Sequence, residues 1–263
     1  MKLKYGPYSP SRLDTANCGY AFRRLYIERE SARRIESLPQ ARGSAVHEVL
    51  AHITQEMIQT KTVNFTDQGL RALVAEAIAM HPAAAQETKE ILEMTRRYIL
   101  NPPDSLTADA EIEQDLAVML EDGEFVACEY DDPRAYARGR VDIKMISDDL
   151  THAVIYDHKT QPHIEDADTF QLGFYAWLMF KTHPFLQGVK TILHFARYGK
   201  YSQPYEWRRE ELLDIEDEII TRVTLNETRT EWSATPNKHC QYCPFLNECP
   251  AMEQYVERDD EGR

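Results

Sequence analysis

The feature that most constrains this chain is a change of apolar period at Asn101-Pro102-Pro103. Upstream, apolar residues recur at helical spacing; downstream they alternate in short runs bounded by turns. Residues 19–36 read as an amphipathic helix with Phe22, Leu25, Tyr26 and Ile35 on one stripe. Pro39 breaks it, and a second helix covers about 41–59 through Val46, Val49, Leu50 and Ile53. Helical patterns over 67–80 and 86–100 stop at His81-Pro82 and at the proline pair. Beyond it, 110–120, 124–130, 136–146 and 152–159 predict an antiparallel meander. A helix over 166–182 follows, then strands over 189–197 and 202–207, then a helix over about 209–227. This order predicts an α/β (α+β) core with helical decoration.

With 263 residues, 43% of them hydrophobic, the chain can bury a core as one domain over 1–252. Within it, about 19–103 is helical, about 109–208 forms the core, and about 209–252 holds the last helix and a cysteine-rich segment. The acidic stretch 253–263 reads as a flexible tail. No apolar run approaches the ~20 residues a bilayer-spanning helix needs, so no membrane partner is expected. The N-terminus lacks the apolar region of a signal peptide, which predicts a cytoplasmic protein. The net charge of −14 argues against coating nucleic acid by bulk charge, although eight of the first 36 residues are basic and four acidic.

Chemistry concentrates where strands are predicted. Gly139-Arg140-Val141-Asp142 lies in one, and Val154-Ile155-Tyr156-Asp157-His158-Lys159 ends the next. Period two puts Asp157 and Lys159 on one face and His158 on the other. If Asp142 arrives on the neighbouring strand, two carboxylates converge and suit a hard divalent cation, with Lys159 placed to orient a water. A surface hairpin with a cross-strand salt bridge is the plain alternative. His47 follows Gly43-Ser44-Ala45-Val46 on the second helix, and Gln171 and Tyr175 share a helical face.

Five cysteines without a secretory signal point to a reducing compartment and to metal rather than disulfides. Cys240, Cys243 and Cys249 form a C-x2-C-x5-C run, and Cys18 lies at the head of the arginine-rich helix. On spacing alone, zinc and an iron–sulfur cluster both fit. Cys128 reads as a buried free thiol.

Taken in order, Gly-x-x-x-His, Gly-x-x-Asp, Asp-x-Lys and Gln-x-x-x-Tyr resemble the RecB-like branch of the PD-(D/E)XK nuclease superfamily over about residues 15–250. The resemblance implies a restriction-endonuclease-like αβββαβ core with an N-terminal helical insertion. It implies that His47, Asp142, Asp157 and the carbonyl of His158 hold Mg2+ or Mn2+, and that Asp142, Asp157 and Lys159 are catalytic. It assigns Gln171 and Tyr175 to positioning DNA. A first-strand glutamate is common in relatives; Glu111 and Glu113 both qualify, with Glu113 preferred. The cysteine pattern is similar to the clasp of CRISPR-associated adaptation nucleases and AddB-type nucleases. This implies a 4Fe-4S cluster on Cys18, Cys240, Cys243 and Cys249 that staples the chain ends together.

Arg23, Arg24, Arg33 and Arg34 are candidate phosphate contacts. Between His194 and Arg209, basic residues interleave with Phe195, Tyr198, Tyr201, Tyr205 and Trp207. That pattern suits base stacking but fits ordinary strand formation better. The reading is therefore a metal-dependent DNA exonuclease acting on single strands or ends in recombination, repair or DNA processing. No G-x-x-x-x-G-K-[ST] loop is present, so it works alone or is fed by a separate helicase or recombination protein. The alternative is a non-catalytic module that grips DNA ends within a larger complex.

Overall fold

The structure is a computed structural model that describes residues 3–30, 36–62, 65–104, 106–164, 169–237, 240 and 243–253. Arg33, Arg34, Ile35 and nearly all of the tail beyond Met252 lie outside the described residues. The N-terminal half is helical: α1 (Pro10–Thr15), α2 (Gly19–Phe22), α3 (Leu38–Thr60), α4 (Asp67–Met80) and α5 (Thr88–Leu100). Two helix boundaries near the N-terminus differ from the sequence reading, and the strand expected over 202–207 is split into Lys200–Tyr201 and Tyr205–Arg208. The arginine-rich helix widens after Phe22 into a π-helical turn, Arg23–Ile27, which ends it early. Pro39 opens α3 rather than separating two helices. A proline in the first helical turn gives up only an N–H that has no partner there, and Ser37 with Gln40 forms the capping box.

The strands are β1 (Glu111–Glu121), β2 (Glu124–Ala127), β3 (Ala135–Ile146), β4 (His152–Lys159), β5 (Gly188–Phe195), β6 (Lys200–Tyr201) and β7 (Tyr205–Arg208). They form one mixed seven-stranded sheet with the path β2-β1-β3-β4-β5-β6, and β7 also pairs β5. The hairpin partner β2 lies outside β1, so the first four strands do not sit in chain order. The β4–β5 pair is parallel, which requires a crossover; α6 (Thr169–Thr182) supplies it. That helix is buried from Leu172 to Phe180, as befits an element covered both by the sheet and by α7 (Leu212–Glu227). Trp177 Nε1 donates to Glu216 Oε2 of α7 at 2.7 Å, and Lys181 Nζ pairs with the same oxygen.

The two largest apolar clusters among the described residues divide the core. One joins the sheet to α1, α2, α6 and α7, and the other joins α3, α4 and α5. The candidate site lies where α3 meets the end of β4.

Candidate metal and phosphodiester site

The β3–β4 ladder runs from Ile146↔Ala153 to Ile143↔Tyr156. One step further in the same register Asp142 faces Asp157, so both carboxylates sit where the strands part. On the other side of β3, Ile112 pairs with Ile143 and Gln114 with Val141, which places Glu113 opposite Asp142. Glu113 has φ 52°, a left-handed conformation rare for a residue with a Cβ. Backbone strain of that kind concentrates at functional sites. Glu111, the other first-strand candidate, is paired with buried Lys144 at 2.8 Å.

His47 reaches this cluster from α3. Its Nδ1 lies 3.0 Å from Asp142 Oδ1, and its Nε2 lies 3.1 Å from the His158 carbonyl oxygen. Both partners only accept, so both ring nitrogens donate and His47 is an imidazolium. Burial opposes that charge, but Asp142 overcomes it and raises His47 to about 9, with Asp157 and Glu113 helping. Burial pushes Asp142 upward too, yet His47 and the His158 N–H, 2.5 Å from Oδ2, hold it below the usual carboxylate range. Asp157 goes the other way: burial raises it, and Lys159 offsets this only in part. Glu113 is raised by burial and by Asp142.

The lysine side of the site is a separate network. Lys159 Nζ lies 2.7 Å from Asp157 Oδ2 and donates to Gln171 Oε1 at 2.5 Å. Gln171 Nε2 donates to the Tyr175 hydroxyl at 2.8 Å and reaches Asp157 Oδ1 at 3.4 Å. The contact with Lys159 leaves Asp157 Oδ2 without an aligned hydrogen bond, so this buried oxygen keeps accepting capacity.

Among the described residues, His47, Glu113 and Asp142 offer donor atoms that all lie within 4.8 Å of one another. Asp157 is their neighbour, its carboxylate directed at Lys159 and Gln171. The set suits a divalent cation: three buried or half-buried carboxylates gather beside Lys159 and the His47 ring, with Arg140 acting on Glu113 as well.

The His158 ring lies on the far side of β4, its Nδ1 3.1 Å from Nδ1 of buried His194. Burial lowers both, His158 to about 4 and His194 to about 2, so both are neutral and one donates to the other. Tyr98 packs on both rings. Neither His194 nor Tyr98 stood out in the sequence, because only the β4–β5 register sets His194 beside His158.

Cys18, Cys240, Cys243 and Cys249 line one cavity of about 260 Å3 between α2 and the C-terminal segment. Among the described residues no three of their sulfurs come within 4.8 Å of one another. Backbone N–H groups of Thr235 and Asn237 point at the sulfurs of Cys18 and Cys240. Burial raises Cys243, and the other three thiols add to this. Cys128 is half-buried and stands apart, at the end of β2.

Arg24 donates to Glu30 and Glu248 and stacks 4.3 Å from the Phe245 ring, which ties α2 to the C-terminal segment. Arg23 pairs with Glu28 at the surface. No helix among the described residues is long and apolar enough to cross a membrane.

A mixed sheet that presents clustered carboxylates and one lysine at a strand end, with a helix-borne histidine above them, defines a metal-dependent phosphodiesterase. The chain matches the PD-(D/E)XK nuclease superfamily over residues 7–250 and belongs to that family. Its substrate is accordingly nucleic acid. No curated protein matches the chain. Among solved structures, the crystal structure of SSO0001 is similar, with 16% identity and a TM-score of 0.38, covering 79% of this chain and 85% of that one.

Proposed function

We propose that this protein is a Mg2+- or Mn2+-dependent DNA exonuclease of the RecB-like kind, acting on single strands or DNA ends in recombination, repair or DNA processing. The observation that carries the reading is the meeting of His47, Glu113 and Asp142 within 4.8 Å beside the Asp157–Lys159 pair. His47, Glu113, Asp142, Asp157 and the His158 carbonyl hold the divalent ion. When bound, the ion supplies Lewis-acid stabilisation of charge developing on the phosphoryl oxygens.

Lys159 orients the attacking water and donates to a non-bridging phosphate oxygen. Asp157 and Gln171 keep its ammonium in place, and Tyr175 keeps Gln171 in place. Water adds to phosphorus as the bond to the 3′-oxygen breaks, and that oxygen takes up the proton. Gln171 and the half-buried Arg23 help position the strand, Tyr175 acting through Gln171, while Arg24 anchors the segment that carries Arg23.

The four cysteines hold a 4Fe-4S cluster. Their shared cavity and the N–H groups aimed at two sulfurs support this. The test is cleavage of end-labelled single- and double-stranded DNA with Mn2+ by wild type, Asp157→Ala and Lys159→Ala. Wild type degrades DNA and both variants lose at least about a hundredfold in rate. Equal degradation by all three overturns the assignment.

A further inference from the structure

One strand beyond Asp157 and Lys159, on the same face of the sheet, lies a cavity of about 370 Å3 that the chemistry above does not use. Its floor is Leu193 and Phe195 of β5, the register partners of Asp157 and Lys159. Lateral partners project from one face, so the floor continues the surface that carries the acid and the lysine. Lys200 of β6 faces Phe195, and Tyr205 of β7 faces Thr191, two residues before Leu193 and therefore on that same face. Thr169, two residues before Gln171, and Ile164 close the rim.

The cavity is chemically divided. Leu193 and Phe195 are 1% and 5% exposed and make an apolar floor, whereas Tyr205 and Ile164 stand open at 37% and 39%. Lys200 is exposed at the edge and has no ion pair among the described residues. A cavity with an apolar floor, a ring at its rim and one lysine beside it complements a nucleotide: a π-face to stack and a phosphate to neutralise.

We propose that this cavity takes the base of an unpaired nucleotide next to the scissile phosphate, with Tyr205 as its stacking platform and Lys200 on the flanking phosphate. Adjacent strands are about 4.8 Å apart, so the floor is one spacing from Asp157 and Lys159, and Lys200 about 10 Å from Lys159. That is the reach of one nucleotide. A paired base keeps its faces inside the stack and cannot enter, so the cavity makes the enzyme prefer single strands. The inference rests on the nuclease reading and deepens it.

Binding of an end-labelled oligothymidylate and of its abasic counterpart, measured by anisotropy in Ca2+ buffer, tests it. Tyr205→Ala weakens oligothymidylate binding about tenfold or more. Tyr205→Phe restores it, and wild type and Tyr205→Ala bind the abasic strand alike. Lys200→Gln lowers the salt slope of binding by about one ion. In turnover, Tyr205→Ala raises KM for single strands more than it lowers kcat. Equal oligothymidylate binding by wild type and Tyr205→Ala, or an equal loss on the abasic strand, overturns the subsite. If Asp157→Ala abolishes cleavage while Tyr205→Ala binds like wild type, the subsite alone falls. If wild type neither binds nor cleaves, the nuclease reading falls with it.

Discussion

Replacing Gly139 with alanine probes the link between packing and the site. Gly139 lies on β3, and a Cβ there would stand 2.8 Å from Tyr175 Cε1 and 3.2 Å from Leu178 Cδ1. Tyr175 is 6% exposed and packed within the main core cluster, so its ring yields only by displacing its neighbours. Overpacking of this kind costs about 1–3 kcal/mol. For a chain of this length each kcal/mol lowers Tm by about 2–4 °C, so the variant melts about 2–12 °C early. The displaced ring also loosens the 2.8 Å bond between Gln171 and the Tyr175 hydroxyl, and through Gln171 the placement of Lys159. Cleavage therefore falls about ten- to a hundredfold.

Calorimetry and end-labelled cleavage measure the two effects, and Tyr175→Val isolates the cause. With the ring gone, adding Gly139→Ala costs less than about 0.5 kcal/mol. The reasoning is refuted if Gly139→Ala melts within about 1 °C of wild type, or if it costs the same in both backgrounds.

Glu113→Gln raises the Mg2+ concentration for half-maximal cleavage at least about tenfold, whereas Glu111→Gln, which loses only its pairing with Lys144, leaves it within about twofold; metal titrations of the two separate them. In metal-free protein, His47 is raised from 6.5 to about 9, so its contribution to stability is complete below about pH 6.5 and lost as pH rises through about 9. Urea unfolding at three pH values across that window, with His47→Gln as reference, checks the sign; equal pH dependence in the two proteins would count against the imidazolium. Cys243→Ser, purified anaerobically, loses iron, colour and several degrees of Tm, because the proposed cluster would tie Cys18 to a segment more than 200 residues away. An iron-free wild type would refute the cluster.

Local spacing carries much of the site. Asp157 and Lys159 share a face by strand period alone, whereas His47, Gln171 and Tyr175 carried no signal singly and were nominated by the resemblance of the ordered motifs to a nuclease family. The cysteine run and its distant fourth member are equally visible without coordinates. Helix limits were less legible, because Pro39 breaks a helix or opens one depending on whether its turn is the first, and a cap settles that.

What the chain order alone determined is the succession of helices, strands and polar signatures, since periodicity and turn chemistry act within a few residues. Which glutamate faces Asp142 was open in the sequence, because residues 111 and 113 point to the same side of a strand. Only the β1–β3 register chose Glu113 and gave Glu111 to Lys144. The parallel placement of β5 likewise brought His194 behind His158, and set Leu193 and Phe195 beside the acid and the lysine. Such pairings join residues dozens of positions apart through backbone hydrogen bonds and shared burial, and local preference holds no information about them.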